Sequence, residues 1–358
     1  YLSRTESFLQ PTIMGQTNLS TYQKRASRIG VELLMIRQSH LGTDGGLKLI
    51  NRLLERLASL GVEIALEESL VSIDRASKTA LTEKRSARYD QLIVAPGRHG
   101  FDFLRRFMRD NCIDYTDNSI DVGVRVETKI ENYPIVRDYY DPKFIFPERT
   151  RTFCTNSGSA HVVQERYTAG NGQVYYSVNG HAWSSERKPN GLVNFAVLRS
   201  VEFTEPLASG QDYAEFLAQL AMLTGGGHPI MQRIGDFRLG KRTTSGGLNE
   251  DLYDFEPSLA SCTPGDISLA MPAKFLRSIW KALKQLDTIV PGVLHPATIL
   301  YYPEIKLYAN KPSFIDRYFQ AAEDIYLIGD GAGTSRGITG AWASGLRASD
   351  GIRRKKGW

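Results

Sequence analysis

The stretch YLIGDGAGTSRGITGAWASGLRASDGI, residues 326–352, reads as an apolar strand, a glycine turn and a helix. Residues 325–328 make the strand. Gly329, Gly331 and Gly333 then give a turn whose amides are open to close approach, because no Cβ stands in the way. Gly337 introduces a helix carrying Ala341, Ala343, Ser344, Gly345 and Ala348, small enough for close packing on a sheet. A helix start favours anionic or electron-rich groups through its unpaired N–H groups and its dipole. Asp330, set at a strand end, suits a ligand hydroxyl in the crevice where α/β sheets bind. Tight helix–strand packing is the other reading of the same glycines.

Taken as G-x-G-x-x-x-G, residues 331–337 would open a βαβ unit, which needs a second strand bearing an acid about 20 residues on. Only a charged tail follows Ile352, so the element reads as closing a domain. The other G-x-G spacings, Gly170/Gly172 and Gly225/Gly227, have no glycine three residues on.

Working outward, the same α/β style stands at the front of the chain. KRASRIGVELLMI (24–36) runs helix, glycine, apolar strand. From Thr43 to Leu60 the apolar Leu47, Ile50, Leu54 and Leu57 fall on one helix face, with Thr43 as N-cap and Gly61 as stop. VEIALEESLVSID (62–74) and YDQLIVAPG (89–97) follow as strands. Beyond about 113 the chain turns sheet-rich, with SIDVGVRVET (119–128), QVYYSVNGH (173–181) and LVNFAVLRSVEF (192–203). Helices over 212–223 and 273–287 interrupt it. The expected organisation is an α/β domain in two pieces, 1–112 and 316–358, interrupted by an α+β domain over 113–315.

Composition, at 42% hydrophobic and 23% charged, is that of an ordinary globular protein. No apolar run is long enough to span a bilayer and no signal-peptide layout opens the chain, so the expected compartment is the cytoplasm. Of the net charge of +5, four charges are the tail Arg353, Arg354, Lys355 and Lys356, which reads as a solvated run and argues against nucleic acid as a partner. Cys112, Cys154 and Cys262 are far apart, with no C-x-x-C, and no ligand cluster argues for a metal.

YLIGDGAG resembles the C-terminal flavin motif of the glutathione-reductase-like group of FAD proteins, and YDQLIVAPG resembles the strand that ends in their Ala-x-Gly turn. More narrowly, HLGTD (40–44), DVGVRVE (121–127), YDPKF (140–144), RTFCTNSG (151–158), VNGH (178–181), GDFRLGKRTT (235–244), PGD (264–266) and PEIKLY (303–308) look like a family of bacterial and archaeal FAD-dependent dehydrogenases. The resemblance implies a doubly wound FAD-binding domain with an inserted α+β substrate domain, a FAD cofactor, and a small-molecule substrate oxidised or reduced at flavin N5. NAD(P)H or another donor would supply electrons. It implies flavin contacts from Gly97, Gly329, Asp330, Gly331, Ala332, Gly333, Gly337, Ile338 and Thr339. It also implies an N-terminal G-x-G-x-x-G. Because this chain starts at Tyr1 without one, a truncated flavin domain is expected, with a hydrophobic slot beside 325–328.

Further candidates each have a structural alternative. His40 lies near the cofactor by resemblance, or packs beside a helix capped by Thr43 and Asp44. Arg125 lines a substrate cleft, or pairs with Glu127 on a solvated strand face. His181, placed after an Asn-Gly turn, is an acid or base, or is structural. Cys154 is a redox thiol or a buried one. Glu304 and Lys306 bind substrate or form a surface pair, and Arg238, Lys241 and Arg242 hold an anion or form a solvated loop. The rival to an oxidoreductase is a non-catalytic nucleotide- or partner-binding protein.

Overall fold

A computed structural model describes residues 10, 11, 19–36, 39, 40, 42–97, 100–183, 188–203, 206, 209–249, 256–335 and 337–357. It is a mixed α/β structure with mixed sheets, in two compact units. The sheet-rich unit comprises Tyr1–Arg56, Ile120–Val201 and Gln211–Lys306; the glycine-turn unit comprises Leu57–Ser119, Glu202–Gly210 and Leu307–Trp358. The expected boundary at 112 thus moves, and the front of the chain joins the sheet-rich unit. The reason is strand pairing: Glu32–Leu34 is antiparallel to Lys143–Phe146, and the Tyr139 hydroxyl donates to the Leu34 carbonyl at 2.8 Å. A helix–glycine–strand signal is local, whereas the choice of sheet is not.

In the sheet-rich unit the strand Ile120–Lys129 lies between Leu192–Val201 and Ile299–Lys306. Its apolar side chains Val122, Val124 and Val126 are buried, and so are Arg125 and Glu127 on the opposite face. The solvated face expected for that pair is therefore absent. What covers it is a hairpin. The strand Thr150–Thr168 pairs first with Leu192–Val201 and then, from Ser159, with Val174–Trp183. Its register slips between Phe153 and Asn156, with Cys154 at φ +50°, and such a bulge bends a strand. The returning Val174–Trp183 crosses the sheet, where the Ile305 N–H donates to Ser177 Oγ at 3.0 Å. The helix Ala273–Ile289 packs on the sheet and buries Phe275, Ile279, Leu283 and Leu286.

The glycine-turn unit contains the sheet Gln320–Ala322, Ile325–Leu327, Leu92–Val94, in which the last two strands are parallel. Helix Phe101–Asp110 turns Leu104, Phe107 and Met108 into a core with Val94, Ile325, Leu327 and Ala332. Each of these side chains except Ala332 contributes about 1.5–3 kcal/mol by leaving water. The strand predicted over 62–74 is shorter, Leu70–Asp74, and it forms an antiparallel meander with Thr79–Thr82 and Ser86–Arg88 instead of a parallel unit. The predicted slot is also displaced. Ile325–Leu327 is fully buried between two strands, whereas Leu92–Val94 is the sheet's edge among the described residues. A cleft of about 1000 Å³ runs along that edge, lined by Leu70, Ile73, Phe103, Arg106 and Phe107.

Helix Gly42–Ser59, at the division between the units, matches the predicted span. The apolar face of Leu47, Ile50, Leu54 and Leu57 is exposed, while Leu49 is buried. A helical period identifies a face, not what covers it. The charged tail is the last turn of helix Gly337–Lys356, where cations suit the helix dipole. No helix among the described residues is long and apolar enough to cross a membrane.

Candidate functional site

The glycine turn follows the strand Ile325–Leu327. Gly329 has φ +80°, Asp330–Ala332 form one 3₁₀ turn, and Gly333 is left-handed. The Gly329 N–H donates to Ser344 Oγ at 2.9 Å, tying the turn to the helix behind it. A Cβ at Gly331 would come within 2.9 Å of the Gly97 nitrogen, and one at Gly333 within 2.9 Å of the Asn310 carbonyl oxygen. Main-chain packing therefore accounts for both glycines and joins the Gly97 turn to the Gly331 turn. Ala332 is wholly buried in the core, so its side chain leaves the candidate set. Asp330 is half-buried. Gly337 has φ +70° with nothing within 4 Å of an added Cβ, and Ile338 and Thr339 are exposed behind it. Among the described residues this helix start is open.

In the sheet-rich unit, Arg125, His181, Glu304 and Lys306 converge. The Arg125 guanidinium is fully buried and grips Glu304 with two bonds, Nε to Oε2 at 2.7 Å and Nη2 to Oε1 at 2.6 Å. Nη1 donates to the Cys154 carbonyl at 2.8 Å and to Asn194 Oδ1 at 3.3 Å, and Nη2 also donates to Asn179 Oδ1 at 3.0 Å. All five guanidinium donors have acceptors. Burial works against its charge, and Glu304 together with Cys154 more than offsets that, raising the pKa. The partner expected for Arg125, Glu127, instead accepts from Tyr301 at 2.6 Å and from both the N–H and hydroxyl of Ser258. Glu304 and Lys306 are a buried pair and not a surface one, with Nζ 3.1 Å from Oε1.

His181 lies within the strand Val174–Trp183, not after a turn. The glycine before it serves close approach: a Cβ at Gly180 would fall 2.5 Å from Asn156 Nδ2 and 2.7 Å from Arg125 Nη1. Half-buried, His181 has its pKa lowered, first by burial and then by the charges of Arg125 and Lys306, with Glu165 opposing. Its imidazole is neutral at neutral pH. Cys154 is half-buried, with Asn156 Nδ2 3.7 Å from its sulfur, while burial pushes the Cys262 thiol up to about 12.

Sequence reading missed Asn156, Asn179, Asn194 and Glu165, although asparagine inside apolar strands such as LVNFAV is a signal, being depleted there. Arg238, Lys241 and Arg242 are exposed, with Arg242 bonded only weakly to the Pro264 carbonyl at 3.4 Å. The His40, Thr43 and Asp44 side chains lie outside the described residues. Among the described residues no group of three His, Cys, Asp or Glu would hold a metal ion. Compared with family models and with curated proteins, the chain matches none.

Proposed function

We propose that the chain is an FAD-dependent oxidoreductase, in which the glycine-turn unit belongs to a doubly wound FAD fold and the sheet-rich unit supplies the substrate groups. The observation that carries this reading is the open start of helix Gly337–Lys356, preceded by the half-buried Asp330 at the end of a parallel strand. These residues fit the flavin end of the cofactor. Asp330 would accept a hydrogen bond from a ribityl hydroxyl, and the amides of Ile338 and Thr339 would face the pyrimidine edge, where the helix dipole favours negative charge. For the pyrophosphate, the 358 residues contain no G-x-G-x-x-G. The bound flavin supplies two-electron chemistry at N5, from NAD(P)H or another donor. His181, neutral, offers a ring nitrogen that takes or gives a proton. Arg125 and Glu304 hold the ground beneath it.

A non-catalytic nucleotide- or partner-binding protein is the second reading. It is favoured by the main-chain packing that alone requires Gly331 and Gly333.

Titration with FAD, followed by flavin fluorescence and visible absorbance, tests the proposal. With no G-x-G-x-x-G for the pyrophosphate, the chain should bind FAD weakly, and Asp330→Ala should weaken that binding about tenfold further at unchanged Tm, the loss of one charge-assisted hydrogen bond. Equal affinity in the variant removes Asp330 from the site. A bound flavin that no organic or nicotinamide donor reduces leaves the binding-only reading.

A further inference from the structure

The helix Gly210–Thr224 of the sheet-rich unit is apolar on two sides. Its inner stripe, Ala214, Leu217, Ala218 and Ala221, is buried, and the spacing i, i+3, i+4, i+7 puts these four on one face. Phe216, Gln219, Leu220 and Leu223 repeat that spacing on the opposite side. There Phe216 is 61% exposed and Leu223 79%. A helix that is apolar all round is normally buried, and this one has one side bare. Along the bare side runs a groove of about 570 Å³, lined by those outer residues and by Gln173 and Val174 at the start of the strand Val174–Trp183.

Charge and symmetry decide what covers this face. Helices that lie on membranes carry Lys and Arg, whereas Gly210–Thr224 has no cation and two carboxylates, Asp212 and Glu215. None of the side chains lining the groove is charged, so nothing there repels a second copy of the same face. The spacing is its own complement. With two such helices antiparallel across a two-fold axis, Phe216 falls opposite Leu223 of the other copy, and the axis passes between Gln219 and Leu220. A side chain beside that axis lies near its own copy, where an amide, both donor and acceptor, is tolerated and a charge is not. Protruding side chains next to a groove on one face supply the knob and the hole of an isologous contact. Fifteen residues rise about 22 Å, and a face about 10 Å wide covers far less than the ~800 Å² per partner of a stable dimer, so the pairing is weak and reversible.

We propose that this face pairs with a second copy of the chain as an antiparallel two-helix contact, with Phe216 of each copy seated in the groove of the other, against Leu223.

Sedimentation equilibrium over about 5–500 μM, the range in which a weak contact dissociates, tests it. The weight-average mass should rise from that of the monomer toward twice it. Leu223→Glu, at a side chain already exposed, should weaken dimerisation about tenfold or more by setting a carboxylate against Phe216 of the other copy. Leu269→Glu, at an exposed leucine outside this helix, should dimerise as the wild type does. The double variant Phe216→Lys, Leu223→Glu should dimerise more tightly at low salt than either single variant, because the antiparallel register sets each lysine against the other copy's glutamate. A chain that stays monomeric at the highest concentration overturns the proposal, and so does a dimer that a folded Leu223→Glu leaves intact. A monomer that instead sediments with phosphatidylcholine vesicles overturns it in favour of a membrane. A double variant no tighter than the single ones overturns the antiparallel register. If Leu223→Glu does not fold, Gln219→Arg decides, since it places like charges at the axis: loss of the dimer supports the contact, and an unchanged dimer overturns it.

Discussion

The glycine turn and the buried cluster are two ways of making a polar site. The turn is built of main chain from consecutive residues, and its glycines let backbone approach backbone where a Cβ would not fit. The cluster is built of side chains delivered by five strands, and its central ion pair joins residues 179 apart in sequence. The contrast teaches where each is vulnerable. A main-chain site fails when a Cβ is added, because space and φ are its substance. A side-chain site fails when one charge is deleted, because every remaining partner stays buried without its counterpart.

The sharpest break in that comparison is Glu304→Ala. It strands the fully buried Arg125 beside Lys306, and loss of one partner of a buried pair costs about 3–5 kcal/mol. Urea unfolding should show that loss, and Arg125→Met added to Glu304→Ala should recover much of it. A single variant within 1 kcal/mol of wild type, roughly the worth of an exposed pair, would mean the pair is hydrated.

Added methyl groups come next. Gly180→Ala pushes a Cβ into Asn194, Asn156 and Arg125 and should cost about 3 kcal/mol, the upper end for overpacking. Gly337→Ala meets open space and should cost only the left-handed φ, about 1–2 kcal/mol. The reverse order in thermal unfolding would exchange the two descriptions.

The smallest effect concerns Glu127. Burial raises its carboxyl pKa, against hydrogen bonds from Ser258 and Tyr301 that favour the charged form. A carboxyl with a higher pKa in the fold than in the unfolded chain stabilises the fold fully below its unfolded value, about 4.3, and loses that contribution as pH rises through the folded pKa. Glu127→Gln, neutral throughout, should flatten the decline of Tm across that window. An unchanged slope would mean that Glu127 titrates alike folded and unfolded.

Periodicity carried much of the fold. The alternating 119–128, 173–181 and 192–203 are the strands Ile120–Lys129, Val174–Trp183 and Leu192–Val201, and the helical 273–287 is Ala273–Ile289. Each signal lies inside the element it describes. Partnership was not legible, because it depends on register between distant segments. The bulge between Tyr301 and Glu304 sets Glu304 beside Gly123, within reach of Arg125, and no local pattern in either strand contains that fact. For the same reason VNGH looked like a turn. The need for a glycine at 180 lies in Asn156 and Asn194, on two other strands. In the turn the reverse held, since φ values and glycines were neighbours in sequence.

Leu92–Val94, the sheet's edge among the described residues, has a consequence for the protein in concentrated solution. In a parallel ladder alternate residues bond to each side, so with Leu92 and Val94 engaged by Ile325–Leu327 the N–H and C=O of Ile93 point outward. They are flanked by the exposed apolar side chains of Ile93 and Val71. Such an edge is a template for any extended peptide, and natural sheets blunt it with charge, proline or a bulge. Here Pro96 stands two residues beyond the ladder and no charge lies within it. Edge-to-edge aggregation would therefore start at Ile93, and a lysine there would be the most economical guard against it.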